Sequence, residues 1–431
     1  MKIKRLILSI LIFFILSFTF FYNYSQAVYL ETYSEALILI EKDSGKILYS
    51  KNAEQKMYPA STTKILTAIL AIESLPLDKK LTASYNAVMS IPSGYSNAAI
   101  QVGESLTVKE LLEVFLVHSA NEAGFILAEN VSGSFSAFAD LMNKKAKQIG
   151  CKNTHFTNPS GLHDENHYTT AHDLSLIAQY CMNNETFRSF VCMPSCTIAA
   201  TDKYEERYFR NTNDMLNSKS QYYNENIIGI KTGYTSQAQN CLISGFRKNG
   251  IELISVVLGA PAYAGTNGVS GKYTDTQTLF DYGSENFAIK NILKTGDVVT
   301  EVQVEHATKD SKNLDLIAEN SIDIFASKGT FELLKPTITL KENIKAPIKA
   351  NDILGTVTYK VDGIDYTTNL LAKNDVAVST FFQNILKIAF AIVILIIVYE
   401  LMYFKKKKKK KSKNKNGKKS NGKYLYGRVK Y

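Results

Sequence analysis

The alternation of apolar and polar positions changes period twice along the chain. Residues 35–41 and 46–51 are apolar-rich and flank Asp43-Ser44-Gly45, which predicts a β-hairpin. From Pro59 the pattern becomes helical. Proline, a small residue and serine open the stretch, and Ile65 to Ile72 is apolar on nearly every side, so this helix is predicted to be buried. Thr107 and Glu110 form a capping box ahead of an apolar run, predicting a helix that ends near Ser119. Residues 121–131 and 135–149 keep the helical period, the second stopped by Gly150. Residues 170–183 add another helix, with Thr170 and Asp173 in capping positions. Strand character returns at 227–235, 241–247 and 251–259. The last two flank Lys248-Asn249-Gly250, and Asn-Gly between apolar strands is a strong hairpin signal. Residues 273–287 predict a closing helix. Strands from both ends with helices inserted between them predict an α+β fold, an antiparallel sheet with a helical subdomain. Beyond residue 295, short alternating strands (298–304, 321–326, 336–340) and turns such as Asp362-Gly363 predict a small all-β domain. No repeat of 20 to 50 residues is evident.

The two ends read differently. Lys2, Lys4 and Arg5 precede an apolar run, 6–21, and then Ser25-Gln26-Ala27, so residues 1–27 are predicted to be a signal peptide. Residues 385–404 form an apolar run long enough to span a bilayer, with Lys387 and Glu400 near its ends, where side chains can snorkel. A basic block follows, and by the positive-inside rule the tail, 405–431, stays in the cytoplasm while everything before the helix lies outside. The expected organisation is therefore a signal peptide, a catalytic domain at 28–290, an all-β domain at 291–375, a transmembrane helix at 385–404 and a basic tail. The expected location is the cell membrane, single-pass, with the catalytic domain extracytoplasmic.

Charge fits this division. The formal net charge of +10 comes from the ends, because 14 Lys or Arg and no acid lie from Lys405 onward. Residues 28–384 hold 32 basic and 39 acidic residues, which argues against a nucleic-acid-binding body. Five cysteines leave at least one without an intrachain partner, and Cys192 and Cys196 are spaced for a local bridge.

Candidate chemistry begins with Ser61 and Lys64, three residues apart and so on one face of the first helical turn. Burial disfavours the ammonium and a helix start favours an anion, so the Ser61 proton can move towards Lys64. An isolated Ser-x-x-Lys is more often a capping serine with a snorkelling lysine. Two further stretches change that balance: Ser119-Ala120-Asn121 between helical patterns, and Lys231-Thr232-Gly233 within a predicted strand. His163, His167 and His172 suggest a zinc peptidase, but their flanks lack zincin spacing and fit a role in positioning a loop.

These three motifs in this order resemble the serine-type D-alanyl-D-alanine carboxypeptidases, the low-molecular-mass penicillin-binding proteins. The resemblance extends to Phe156-x-Asn158-Pro159-x-Gly161-Leu162, to His167-Tyr168-Thr169-Thr170-x-x-Asp173-Leu174 and to Gly229-x-Lys231-Thr232-Gly233-x-Thr235-x-x-Ala238. Ala346-Pro347-Ile348-Lys349 followed by Leu354-Gly355 looks like that family's C-terminal β-domain. The resemblance implies a β-lactamase/transpeptidase-like fold that acts on peptidoglycan stem peptides, binds β-lactam antibiotics and needs neither metal nor organic cofactor. It implies that Ser61 is the nucleophile and Lys64 the general base, with Ser119 and Asn121 relaying protons and holding the peptide. Lys231 and Thr232 would face the terminal carboxylate, and the backbone N–H groups of Ser61 and Tyr234 would form the oxyanion hole. Gly233 would let the strand approach closely. Gln239-Asn240 departs from the family's Gly-aromatic pair. Lys272, behind an added loop at 264–271, stands nearest the place of the family's arginine and is the candidate carboxylate grip, against a reading as a solvated lysine. A class A-like β-lactamase would carry a deacylating glutamate between the second and third motifs, and none is found. A D,D-endopeptidase or transpeptidase on the same fold is the remaining alternative, since the acyl acceptor is not written in the motifs. A non-catalytic peptidoglycan-binding protein would be expected to have lost one motif.

Overall fold

The computed structural model describes residues 28–266 and 268–417. The predicted signal peptide and the end of the basic tail lie outside the described residues. Contacts divide the chain into two units, Met1–Asn286 and Phe287–Tyr431.

In the first unit, β1 (Ala36–Glu41) and β2 (Ile47–Lys51) lead through a 3-10 turn, Ala60–Thr63, into α1 (Lys64–Ser74). The short strands β3 (Lys80–Thr82) and β4 (Ser105–Thr107) bracket α2 (Tyr85–Met89), and α3 (Val108–Val117), α4 (Asn121–Ser132) and α5 (Phe135–Ile149) follow. Next come α6 (Ala171–Met182), α7 (Glu185–Val191), β5 (Ser195–Ile198) and β6 (Arg207–Arg210). The unit closes with β7 (Ile227–Thr235), β8 (Gln239–Lys248), β9 (Ile251–Ala260) and α8 (Gly271–Asn286).

The main sheet is antiparallel in the order β2-β1-β9-β8-β7, with Leu37 opposite Val257 and Lys231 opposite Ile243. Both β1 and β9 are buried at every position. Helices cover the two faces, and for that reason these strands are mostly apolar, with Glu41, Glu252 and Ser255 as their polar positions. Ile38, Ile40, Ile254 and Val256 pack into the helical core with α1, α3 and α6. On the other face α8 comes so close that a Cβ on Gly283 would lie 2.6 Å from Leu253 and 3.0 Å from Leu39. Asp275 of α8 accepts hydrogen bonds from the backbone N–H groups of Tyr33 and Ser34, fastening the incoming chain to that helix. With β2 at one edge, β7 forms the other, and it runs beside the 3-10 turn that holds Ser61.

Local signals act as their chemistry requires. The Thr107–Glu110 capping box is made in both directions, and Thr170 accepts from the Asp173 N–H. Gly150 ends α5 in the left-handed region at φ +109°. Asn249 and Gly250 both take positive φ, the geometry of a two-residue hairpin turn.

The first unit differs from the sequence reading in three respects. The serine stretch opens as a 3-10 turn and becomes α-helical only at Lys64, which tightens the approach of Ser61 to the lysine. The short elements α2, α7 and β3 to β6 are too brief to show a period. Cys192 and Cys196 do not bridge, and all five cysteines are free.

The second unit begins at Phe287, four residues before the boundary expected from sequence, because β10 (Phe287–Leu293) pairs with β13 (Ile322–Ser327). Its larger sheet has the order β11-β12-β16-β15-β14, formed by Val298–Gln303, Asn313–Ala318, Ile364–Ala372, Ile353–Val361 and Thr337–Leu340 respectively. Leu316, Ile324, Val357 and Leu370 are at its core. The final helix, α9 (Thr380–Gly417), includes the predicted span, and its stretch Thr380–Lys409 is long and apolar enough to cross a membrane.

Candidate active site

Separate pieces of chain meet at one lysine. Lys64, the first residue of α1, is completely buried. Its Nζ lies 2.9 Å from Ser61 Oγ, 2.6 Å from Asn121 Oδ1 and 2.7 Å from the Ser160 carbonyl oxygen. Ser61 sits half-buried one turn earlier, at the floor of a cleft of about 500 Å³. Burial, and then the charge of Lys231, holds the Lys64 amine well below the ordinary lysine range, and the Glu122 carboxylate pulls weakly the other way.

The segment 156–162 exists to satisfy the polar side of α1. Thr67 Oγ1 donates to the Pro159 carbonyl, and Thr63 Oγ1 meets His167 Nε2 at 2.8 Å. Asn158 Oδ1 accepts from the N–H groups of Ser160, Gly161 and Leu162 and so curls the segment into a tight turn. Gly161 has φ +79°, and a Cβ there would lie 1.8 Å from the Ala60 carbonyl oxygen. Only glycine lets this backbone come close enough for Ser160 to reach Lys64.

The histidines work in this scaffold. His167 Nδ1 accepts from the Thr157 N–H, so its Nε2 carries the proton and donates to Thr63. Burial pushes its pKa down to about 3. His172 faces Glu54 at 2.9 Å, and His163 packs edge-on against Tyr58. Among the described residues no group of three or more His, Cys, Asp or Glu converges on a metal site.

Asn121 opens α4. Its Oδ1 accepts from Lys64, while its Nδ2 and its backbone N–H both reach the Ser96 carbonyl. Ser119 lines the cleft from a left-handed backbone conformation, φ +70°. On the opposite wall, β7 brings Thr232, Gly233 and Tyr234. A Cβ on Gly233 would lie 3.1 Å from the Ser61 nitrogen, so the strand passes the serine's backbone as closely as glycine permits.

Lys231, expected to face a substrate carboxylate, is 1% exposed, whereas its neighbours Thr232 and Gly233 line the cleft. Its Nζ donates to the Thr232 carbonyl, and burial together with the Lys272 charge lowers its pKa to about 7. Lys272, near the start of α8, does line the cleft and lies 4.9 Å from the Tyr273 ring. Burial lowers its pKa too. Thr212, a residue that the sequence did not single out, also lines the cleft, its hydroxyl 2.5 Å from that of Thr232. Thr212 is held by its N–H to Val117 and by the Tyr273 hydroxyl on its carbonyl. The Ser160 and Ser96 carbonyls were also missed, since a backbone acceptor leaves no mark in composition.

A half-buried serine hydroxyl against a buried amine, in a cleft walled by an edge strand, defines a serine acyl-transfer enzyme of the penicillin-binding type. Residues 23–262 match the peptidase S11 family, described as D-alanyl-D-alanine carboxypeptidase, and residues 287–378 match the penicillin-binding protein 5 C-terminal domain. The chain belongs to the D-alanyl-D-alanine carboxypeptidase family and is a serine-type enzyme of that class. It is 33% identical to the D-alanyl-D-alanine carboxypeptidase DacF of Bacillus subtilis, over 80% of this chain and 84% of that one. A D-alanyl-D-alanine endopeptidase of Pseudomonas aeruginosa is 32% identical over 62% of this chain and 79% of its own length. The crystal structure of penicillin-binding protein 5 from Haemophilus influenzae superposes with a TM-score of 0.60 at 29% identity, covering 81% of this chain and 99% of that one.

Proposed function

We propose that the enzyme removes the terminal D-alanine of peptidoglycan pentapeptide stems through an acyl-enzyme on Ser61. The observation that carries this reading is the set of partners around Lys64. Asn121 Oδ1 and the Ser160 carbonyl are acceptors only, whereas the Ser61 hydroxyl can donate. A neutral amine has two N–H groups and one lone pair. With both N–H groups on the two carbonyl oxygens, the lone pair is left for the Ser61 O–H. Burial and the Lys231 charge favour that neutral form.

Ser61 Oγ then attacks the carbonyl carbon between the two D-alanines as its proton passes to Lys64. The developing oxyanion is met by the N–H groups of Ser61 and Tyr234, a pairing that the close passage of Gly233 beside the Ser61 nitrogen supports. The C–N bond breaks, the leaving amine takes a proton delivered from Lys64 by way of Ser119, and Ser61 keeps the acyl group. Water, deprotonated by Lys64, completes the hydrolysis. A β-lactam follows the same first step, but its amine stays tethered to the acyl group. Thr212, Thr232 and Lys272 form the pole that receives the free carboxylate, with the buried Lys231 charge behind it. Lysine supplies a point charge there in place of arginine's planar fork. The helix α9 anchors the enzyme in the membrane, with the body outside and the basic tail in the cytoplasm.

Mass spectrometry after brief exposure to benzylpenicillin is expected to find one acyl adduct, on Ser61. Ser61→Ala is expected to lose both the adduct and D-alanine release, and an adduct on that variant would remove Ser61 from the mechanism. Lys64→Arg is expected to be nearly as inactive, because guanidinium stays protonated in proteins. Lys272→Ala is expected to raise KM for a pentapeptide roughly tenfold or more, the scale of a lost charge-assisted hydrogen bond. It should leave the KM of the pentapeptide amide nearly unchanged, and equal effects on acid and amide would return Lys272 to the status of a surface charge. A chain truncated before Thr380, with the signal peptide cleaved, is expected to be soluble and active; recovery in the membrane fraction would misplace the anchor.

A further inference from the structure

Glu122 follows Asn121 at the start of α4, yet it is 2% exposed. A carboxylate this deeply buried is costly unless its oxygens are occupied. Oε1 accepts from the Ala98 N–H at 2.6 Å and lies 3.4 Å from that of Ile100, while Oε2 has no protein partner. Both amides belong to the loop whose residues Ser93 to Ser96 line the cleft opposite β7. The neighbouring Asn121 grips the same loop at the Ser96 carbonyl, through its side chain and its backbone. Two consecutive residues thus fasten one cleft wall to α4, and the side-chain carbonyl oxygen of Asn121, Oδ1, accepts from Lys64.

We propose that Glu122 is a positioning residue for this reaction, whose carboxylate clamps the 96–100 loop so that Ser96 holds Asn121, and Asn121 holds Lys64, against Ser61. The proposal rests on Lys64 as the base. The loop has other fixed points: Ala98 and Ile100 are buried in the core, Gln101 Nε2 donates to the Ala99 carbonyl, and the Ala99 N–H donates to Asn97 Oδ1. Arg207 donates to the carbonyls of Ala98 and Ala99 from the far side and is ion-paired with the buried Glu104, so that pair is neutral within itself. His118 caps the C-terminus of α3, and burial lowers its pKa against a smaller opposing effect from the Asn97 backbone. Ala99 has φ +54°, a conformation that an alanine keeps only when its surroundings impose it. The N–H groups on either side of Ala99's own, those of Ala98 and Ile100, are the ones Glu122 takes.

The charge has a consequence of its own. Burial raises the Glu122 pKa, while its bonds to backbone N–H groups and then the Lys64 charge pull it back down; in return Glu122 raises the proton affinity of Lys64, against the larger effects of burial and Lys231. Removing the negative charge while keeping an acceptor oxygen should lower that affinity further. More of the amine is then free base at low pH, so the acid limb of the rate profile moves to lower pH.

The test compares Glu122→Ala and Glu122→Gln in the full chain. Glu122→Ala is expected to lose about tenfold or more in kcat/KM and in the rate of penicillin acylation, as for a buried acceptor removed. Hydrogen exchange is expected to speed at the amides of Ala98 and Ile100 while the β-sheet stays protected. Glu122→Gln is expected to restore most of that loss, with its acid limb at lower pH than the parent's. Parent-like kcat/KM or parent-like exchange at those amides in Glu122→Ala would overturn the clamp. An acid limb that does not move in Glu122→Gln would overturn the coupling to Lys64. If Glu122→Ala does not fold, exchange and pH profile of Glu122→Gln against the parent decide the matter. Lys64→Arg run beside them separates the two readings: normal turnover there would fail the base assignment, whereas an inactive Lys64→Arg with parent-like Glu122 variants would fail only the clamp.

Discussion

The structure depends on keeping a lysine amine away from water. A buried ammonium is unfavourable, and the cost falls if the amine is neutral and each of its hydrogens has an acceptor. Lys64 receives two such acceptors from pieces of chain far apart in sequence, Asn121 and Ser160. Much of the helical subdomain serves to bring them together. Helix α1 packs among apolar residues, and Lys64 is completely buried. The tight turn at Asn158 and the absence of a side chain at Gly161 let the Ser160 carbonyl descend onto it.

The sheet contributes the other half of the site. As an edge strand, β7 has one side free of pairing, and that side runs past the serine turn. Glycine at 233 fixes how near it comes. Beneath it, Lys231 adds a second buried amine whose charge, like that of Lys272 at the rim, opposes protonation of its neighbour. Three amines share one region, and burial lowers the pKa of each of them.

Much of this was legible in the sequence. Residue spacing alone put Ser61 and Lys64 on one turn, and Asn-Gly, the capping box and the terminal glycine of α5 marked element ends that the structure repeats. What was not legible falls into two kinds. Acceptors supplied by backbone, at Ser96 and Ser160, carry no signature of residue type. Groups whose meaning depends on burial read as ordinary: Glu122 looks like an acidic residue in a first helical turn, and Thr212 like one polar residue among many. Lys231 belongs here as well, since a strand that is apolar on both faces does not tell which way its lysine points. Lys272 was reached through the resemblance, and its place in the cleft wall follows from α8 beginning just before it, whatever the added loop does.

The account turns on Lys64 being a free base near neutrality. The second-order rate of benzylpenicillin acylation, measured against pH on the unaltered enzyme, tests this most directly. Because Lys64 and Lys231 interact, the acid limb reports the pair and not one residue. The account predicts a rate that levels off with its midpoint far below the ordinary lysine value of 10.5. A rate that keeps climbing with pH, with its midpoint at that ordinary value, would contradict it.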